Sequence, residues 1–203
     1  MKKILIYFRS NKGYTLVELL AVIVVMIVVG VIISSILVSS LRGGNKTSTV
    51  NEVRDNGNTA MTRMARAIEF AKRFEGVSEV NLDGPFRSDC LPEEVGPLTP
   101  TPTPVHYKHI KIRAFDEGET TLSCLNSTIA STSATGATMA LISESGISAP
   151  DSSCYFTCNQ AFISQPPTIG INFTLSKGAS SLFFEQKFST DFHTSVVMRN
   201  LGP

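Results

Sequence analysis

Residues 13–38 read GYTLVELLAVIVVMIVVGVIISSILV, and their chemistry decides how the rest of the chain is understood. From Leu19 to Ile33 every side chain is apolar or glycine, and Ser34-Ser35 interrupts only briefly before Ile36, Leu37 and Val38. About twenty residues at 1.5 Å rise match a hydrocarbon layer of roughly 30 Å, so the run predicts a membrane-spanning helix. Glu18 is the exception. A carboxylate at mid-depth costs about 3 kcal/mol on insertion scales, which marks it as a functional residue with a partner to be found. The span itself holds no basic residue, and Lys12 lies six residues before Glu18. Cutting the chain between Gly13 and Tyr14 would create a new α-amino group one helical turn away. Glu18 would then sit in the first turn, where the helix macrodipole favours negative charge, and pair with its own terminus or a neighbouring copy's.

The run Gly13-Tyr14-Thr15-Leu16-Val17-Glu18, behind a short basic leader and ahead of an uninterrupted apolar helix, resembles the processing site of type IV prepilins and pseudopilins. The resemblance covers leader, cut site and span, about a fifth of the chain. It implies that prepilin peptidase cuts after Gly13, that the Tyr14 amine is N-methylated, and that Glu18 helps dock one subunit against the next. Its other implied partners are further pilin or pseudopilin subunits, the inner-membrane assembly platform and, before assembly, membrane lipid. One departure is notable. Many major pilins carry a proline partway along the span, whereas here Gly30 is the only interruption before Ser34-Ser35, which favours a minor pilin or pseudopilin.

Charge supports a topology. Lys2, Lys3, Arg9 and Lys12 precede the span with no acid among them, which predicts an N-terminus inside and a single-pass protein of the cytoplasmic (inner) membrane with its larger part exported. Without those four, 14 of the 18 basic residues face 17 acidic ones, a formal −3. That balance argues against nucleic acid as a partner. A secretory signal peptide would have a shorter apolar region, although Val38-Ser39-Ser40 reads as a signal-peptidase site. A mature chain beginning at Tyr14, Leu41 or Met1 would indicate a pilin-like protein, a secreted domain or an uncleaved anchor, respectively.

Cys90, Cys124, Cys154 and Cys158 all fall on the exported side, where an even number suggests disulfides in one of three connectivities. The expected pairing is Cys90–Cys124, pinning a proline-rich excursion, and Cys154–Cys158, closing a small loop. A four-thiolate zinc site is disfavoured because Cys154-x-x-x-Cys158 has no matching second pair.

Beyond the span, Arg42-Gly43-Gly44-Asn45 reads as either a break or a soft point in one long helix. Val50, Val53, Gly57, Met61, Met64, Ile68, Ala71 and Phe74 then recur at spacings of three and four, one face of an amphipathic helix. The expected layout is a leader over 1–13, a transmembrane and assembly helix over 14–38, and its amphipathic second half over 39–75. Gly76 ends the helix, and 76–203 form an exported β-rich domain with a proline-rich loop at 91–104. Predicted strands are Tyr107–Phe115, Thr120–Cys124, Thr138–Ser143, Tyr155–Phe156 with Ala161–Ile163, Gly170–Ser176 and Leu182–Asn200; Ser127–Gly136 reads as a low-complexity loop. The fold class is therefore α+β, a long N-terminal helix packed on an antiparallel sheet. The alternating Ile171-x-Phe173-x-Leu175 strand and the closing Arg199-Asn200 are similar to the C-terminal part of J-type minor pseudopilins and W-type minor pilins.

Motifs for catalysis are missing from the sequence, so an enzyme is not expected. There is no G-x-S-x-G elbow and no H-E-x-x-H pair, and Gly43-Gly44-Asn45-Lys46-Thr47 lacks the order of a phosphate loop. His106 and His109 are three apart, on opposite faces of an extended segment, and do not make a metal pair there. No cofactor is expected; Asp116-Glu117-Gly118-Glu119 offers oxygens for calcium but reads first as an exposed turn. The expected function is assembly as a (minor) pilin or pseudopilin of a type IV pilus or type II secretion-like filament. The alternative is a membrane-anchored extracytoplasmic binding domain that does not polymerise.

Overall fold

A single helix, α1, runs from Leu16 to Glu69, 54 residues without a break at Gly43-Gly44. The structure, a computed structural model, describes residues 13–80, 84–91, 105–142 and 146–200. The leader residues Lys2, Lys3, Arg9 and Lys12, and the proline-rich loop apart from Leu91, lie outside them. The chain divides into two units, Met1–Gly44 and Asn45–Pro203. In the first, every described side chain is exposed, and an 18-residue window reaches a mean hydropathy of 3.3. That part of α1 is long and apolar enough to cross a membrane.

In the second unit α1 buries Thr49, Val53, Gly57, Ala60, Met64 and Ile68, at steps of three and four. This apolar face packs on two antiparallel sheets, giving an α+β layout. The helix stops seven residues short of Gly76. Phe74 keeps the helical period but belongs to β1 (Arg73–Ser78), and Gly76 sits at a bulge in that strand with φ 145°. A Cβ there would lie 2.6 Å from the Arg87 carbonyl oxygen, so glycine is required by close approach and by conformation.

The first sheet is a meander in chain order: β1, β2 (His109–Arg113), β3 (Glu119–Leu125), β4 (Thr128–Ser133) and β5 (Thr138–Ala140). β4 occupies the segment expected to be a loop. It is joined to β3 by Asn126-Ser127, both at positive φ (53° and 58°), the geometry of a two-residue type I′ hairpin turn. In the second sheet β8 (Thr168–Lys177) is central. β9 (Phe188–Val197) pairs along its whole length, and β6 (Ile147–Ser148) and β7 (Tyr155–Asn159) pair at its two ends. A strand has two edges, so β6 and β7 share the edge opposite β9. Ala161–Ile163 is a turn rather than strand, and Leu182–Lys187 belongs to the β8–β9 connection. Ile169, Ile171, Phe173 and Leu175 of β8 face the core, alternating with partly exposed Gly170, Asn172 and Thr174.

The two sheets meet where Tyr107 and Phe156 exchange backbone hydrogen bonds of 2.8 and 2.7 Å. Two disulfides reinforce this region, Cys90–Cys158 and Cys124–Cys154. This corrects the expected Cys90–Cys124 and Cys154–Cys158 pairing. Cys158 lies in β7 and Cys154 immediately precedes it. Four residues of extended chain span roughly 13 Å, about twice the Cα separation a disulfide tolerates.

Candidate assembly site at the start of the apolar helix

Thr15 is the residue that shapes this end of α1. Its side-chain oxygen accepts the Glu18 N–H at 3.2 Å, and its carbonyl accepts the Leu19 N–H at 3.1 Å. Thr15-x-x-Glu18 thus caps the helix, satisfying an N–H that has no partner within the helix. The sequence signal was available, since a Thr-x-x-Glu ahead of an apolar run is a capping-box pattern. Gly13 and Tyr14 precede the helix and are exposed, Tyr14 four residues before Glu18 in the chain. Glu18 shares a shallow stripe with Ala21, Val22, Val25 and Met26, otherwise apolar. Among the described residues no cation pairs with it, and the first basic residue in α1 is Arg42. The arrangement is a carboxylate at a helix N-terminus on an exposed apolar surface, suited to receive an amine.

No family model matches the sequence, and neither a curated protein nor a solved structure matches it.

Other residues singled out in the sequence have structural partners. Arg199 N–H donates to the Glu69 carbonyl at 3.1 Å, and Asn200 Nδ2 donates to that of Ala71 at 3.2 Å. Arg199 also pairs with the Glu69 carboxylate at 2.6 Å and lies over the Phe70 ring. Arg199-Asn200 therefore closes the C-terminal end of α1, where carbonyls lack helical partners. In the 116–119 turn, Asp116 Oδ1 accepts the Gly118 N–H at 2.9 Å, Glu117 pairs with Lys72, and Glu119 pairs with Arg113. The hydrogen bond from Lys72 holds the Glu117 carboxyl below its ordinary range, and hydrogen bonding to Glu75 raises Arg113. His106 stacks on Tyr155 with ring centroids 3.8 Å apart. His109 is fully buried, and neither ring nitrogen has a hydrogen-bond partner among the described residues.

Proposed function

We propose that this chain is a prepilin-like subunit, cleaved after Gly13 and N-methylated at Tyr14 by prepilin peptidase, then assembled as a minor pilin or pseudopilin. The observation that carries the reading is the capped helix start, which sets one carboxylate on an otherwise apolar exposed surface a turn after Gly13-Tyr14. The basic leader keeps this end in the cytoplasm, and the remainder is exported. Before assembly the apolar first half of α1 is stored in lipid; the assembly platform then transfers it among the helices of neighbouring subunits. Both environments are dry, so the transfer exposes little apolar surface to water, and the pairing of Glu18 with a Tyr14 amine selects the register. A charge already desolvated in the bilayer gains a partner at small additional cost.

The test is made in the native host. Gly13→Ala is expected to retain its leader, read as a mature N-terminal mass that still includes residues 1–13. Glu18→Ala is expected to be processed normally and inserted, but to fall about tenfold or more in the sheared-filament fraction, as loss of roughly 1.4 kcal/mol or more of docking energy would dictate. A wild-type chain that keeps Met1 and never cross-links to copies or pilin partners would instead be a membrane-anchored extracytoplasmic binding domain.

A further inference from the structure

The connection between β8 and β9 carries the longest run of exposed large apolar side chains among the described residues outside α1. Leu182 is 95 %, Phe183 64 % and Phe184 76 % exposed. Three consecutive residues of this kind on a water-facing surface mark a contact site. They are held in place by the turn itself. Gly178, at φ 69°, accepts the Ser181 N–H at 2.9 Å, and Ser181 Oγ accepts the Phe183 N–H at 3.1 Å and donates to Gln186 Oε1 at 2.7 Å. Gln186 N–H donates to the Phe183 carbonyl at 3.1 Å. A Cβ on Gly178 would lie 2.1 Å from the Gln186 carbonyl oxygen, so the turn closes only with glycine there.

Lys46 fixes where this tip lies. Its ammonium is 4.6 Å from the Phe184 ring centroid and donates to the carbonyls of Phe184 and Lys187. In the chain Lys46 is eight residues after Val38, the last residue of the apolar run, which is about 12 Å of helix. The headgroup layer outside the hydrocarbon is roughly 5–8 Å deep on each side, and a long lysine side chain reaches back across the remaining few ångströms. Chain length therefore keeps the tip within reach of the layer where the run leaves the bilayer. Lys46 and exposed Lys187 supply the cations and flexible apolar stems that suit this layer.

We propose that Leu182, Phe183 and Phe184 insert into the phospholipid interface beside the point where α1 emerges, giving the unassembled subunit a second membrane contact that assembly must release. This rests on the reading that residues 14–38 lie in the bilayer. The sequence contains no tryptophan, so single-tryptophan variants of the full chain report position directly. Phe183→Trp, Ile27→Trp and Phe162→Trp would be reconstituted at low protein density in phosphatidylcholine–phosphatidylglycerol vesicles, with and without lipids brominated near the headgroup end of the acyl chains, to report on 183 and 162, or near their methyl end, to report on 27. Residue 162 lies beyond the opposite end of β8, roughly 30 Å away along the strand, and is also exposed.

The expected result is blue-shifted emission at 183 that loses most of its intensity to brominated lipid, while 162 keeps water-like emission. An unquenched 183 beside a quenched 27 overturns this inference and leaves the membrane span standing. An unquenched 27 overturns both. Quenching at 162 equal to that at 183 means the domain lies on lipid without a specific tip and overturns the proposal. So does a blue shift at 183 that grows with protein density but ignores bromine, which would assign the patch to a second copy of the chain.

Discussion

His109 shows what a single residue can cost this domain. It lies in β2 between Ser78 of β1 and Ser123 of β3, fully buried, with both ring nitrogens unpartnered among the described residues. Burial, reinforced by the neighbouring Lys108 ammonium, pushes its pKa below 6.5. The folded state therefore holds a neutral imidazole, whereas the unfolded chain takes up a proton once pH falls below about 6.5. Stability is fully present above the unfolded value and is lost as pH falls through the window down to the folded value. Urea unfolding of the detergent-solubilised chain should show this acid loss between pH 7 and 5. His109→Leu should flatten it and raise stability by about 1 kcal/mol at neutral pH, because an unsatisfied polar group is replaced by an apolar one. An unchanged pH slope would place the acid-sensitive group elsewhere. Legibility at this scale was uneven. Glu18 stood out as the lone charge in an apolar run, and Thr15 was present in a recognised spacing. The burial of His109 was hidden, because alternation in His109-Ile110-Lys111-Ile112 predicts one buried face and gives no sign that the end of the other is covered too.

Helix and strand read differently because their signals do. The packing face of α1 was visible as a period of three and four, and Val53, Gly57, Met64 and Ile68 are indeed buried. Its end was overshot because Phe74 continues that period by chance. β4 was missed because Thr128-Ile129-Ala130-Ser131-Thr132-Ser133 carries only two apolar residues, and its pairing comes from neighbouring strands rather than composition. The helix meets β9 and its two flanks at three points along their lengths. Lys46 meets Lys187, Gly57 meets Phe192 and Glu69 meets Arg199, so the strand follows the helix direction. The lengths agree: 23 helical residues rise about 35 Å, and 12 strand residues about 40 Å. Gly57 lets the two approach. A Cβ there would sit 2.0 Å from Phe192 Cζ, whose ring stacks on Phe173 at 5.2 Å. Gly57→Leu should destabilise the domain by about 1–3 kcal/mol through overpacking. Gly57→Ala should cost less, since a helix gains about 1 kcal/mol from the exchange and the ring end can shift. Phe192→Leu should recover stability in the Gly57→Leu background. Additive urea-unfolding energies for that pair would argue that the ring and Gly57 do not touch.

Over the whole of the second unit, Asn45–Pro203, the question is what keeps two sheets in one fold. Four cysteines beyond a long apolar helix predicted oxidation, but not who pairs with whom, because pairing depends on β7 being extended and on a junction between sheets that no local pattern announces. Closing a 30-residue separation by Cys124–Cys154 and a 68-residue one by Cys90–Cys158 restricts the unfolded chain by similar amounts, about 4 kcal/mol each, with the longer loop ahead by less than about 1 kcal/mol. Local packing then decides which matters more. Cys124 and Cys154 are both fully buried beside the Tyr107–Phe156 junction, where Lys108 Nζ donates to the Cys154 carbonyl at 2.6 Å. Cys158 is only partly buried, and its partner Cys90 ties down the described segment 84–91. Replacing both Cys124 and Cys154 by alanine should therefore leave a void at the junction in addition to the entropic loss. Its urea midpoint should fall below that of the Cys90→Ala, Cys158→Ala variant despite the shorter loop. The reverse order would mean that the arm carrying Cys90 contributes more to the fold than the seam between the sheets, and that hydrogen bonding at Tyr107–Phe156 suffices to join them.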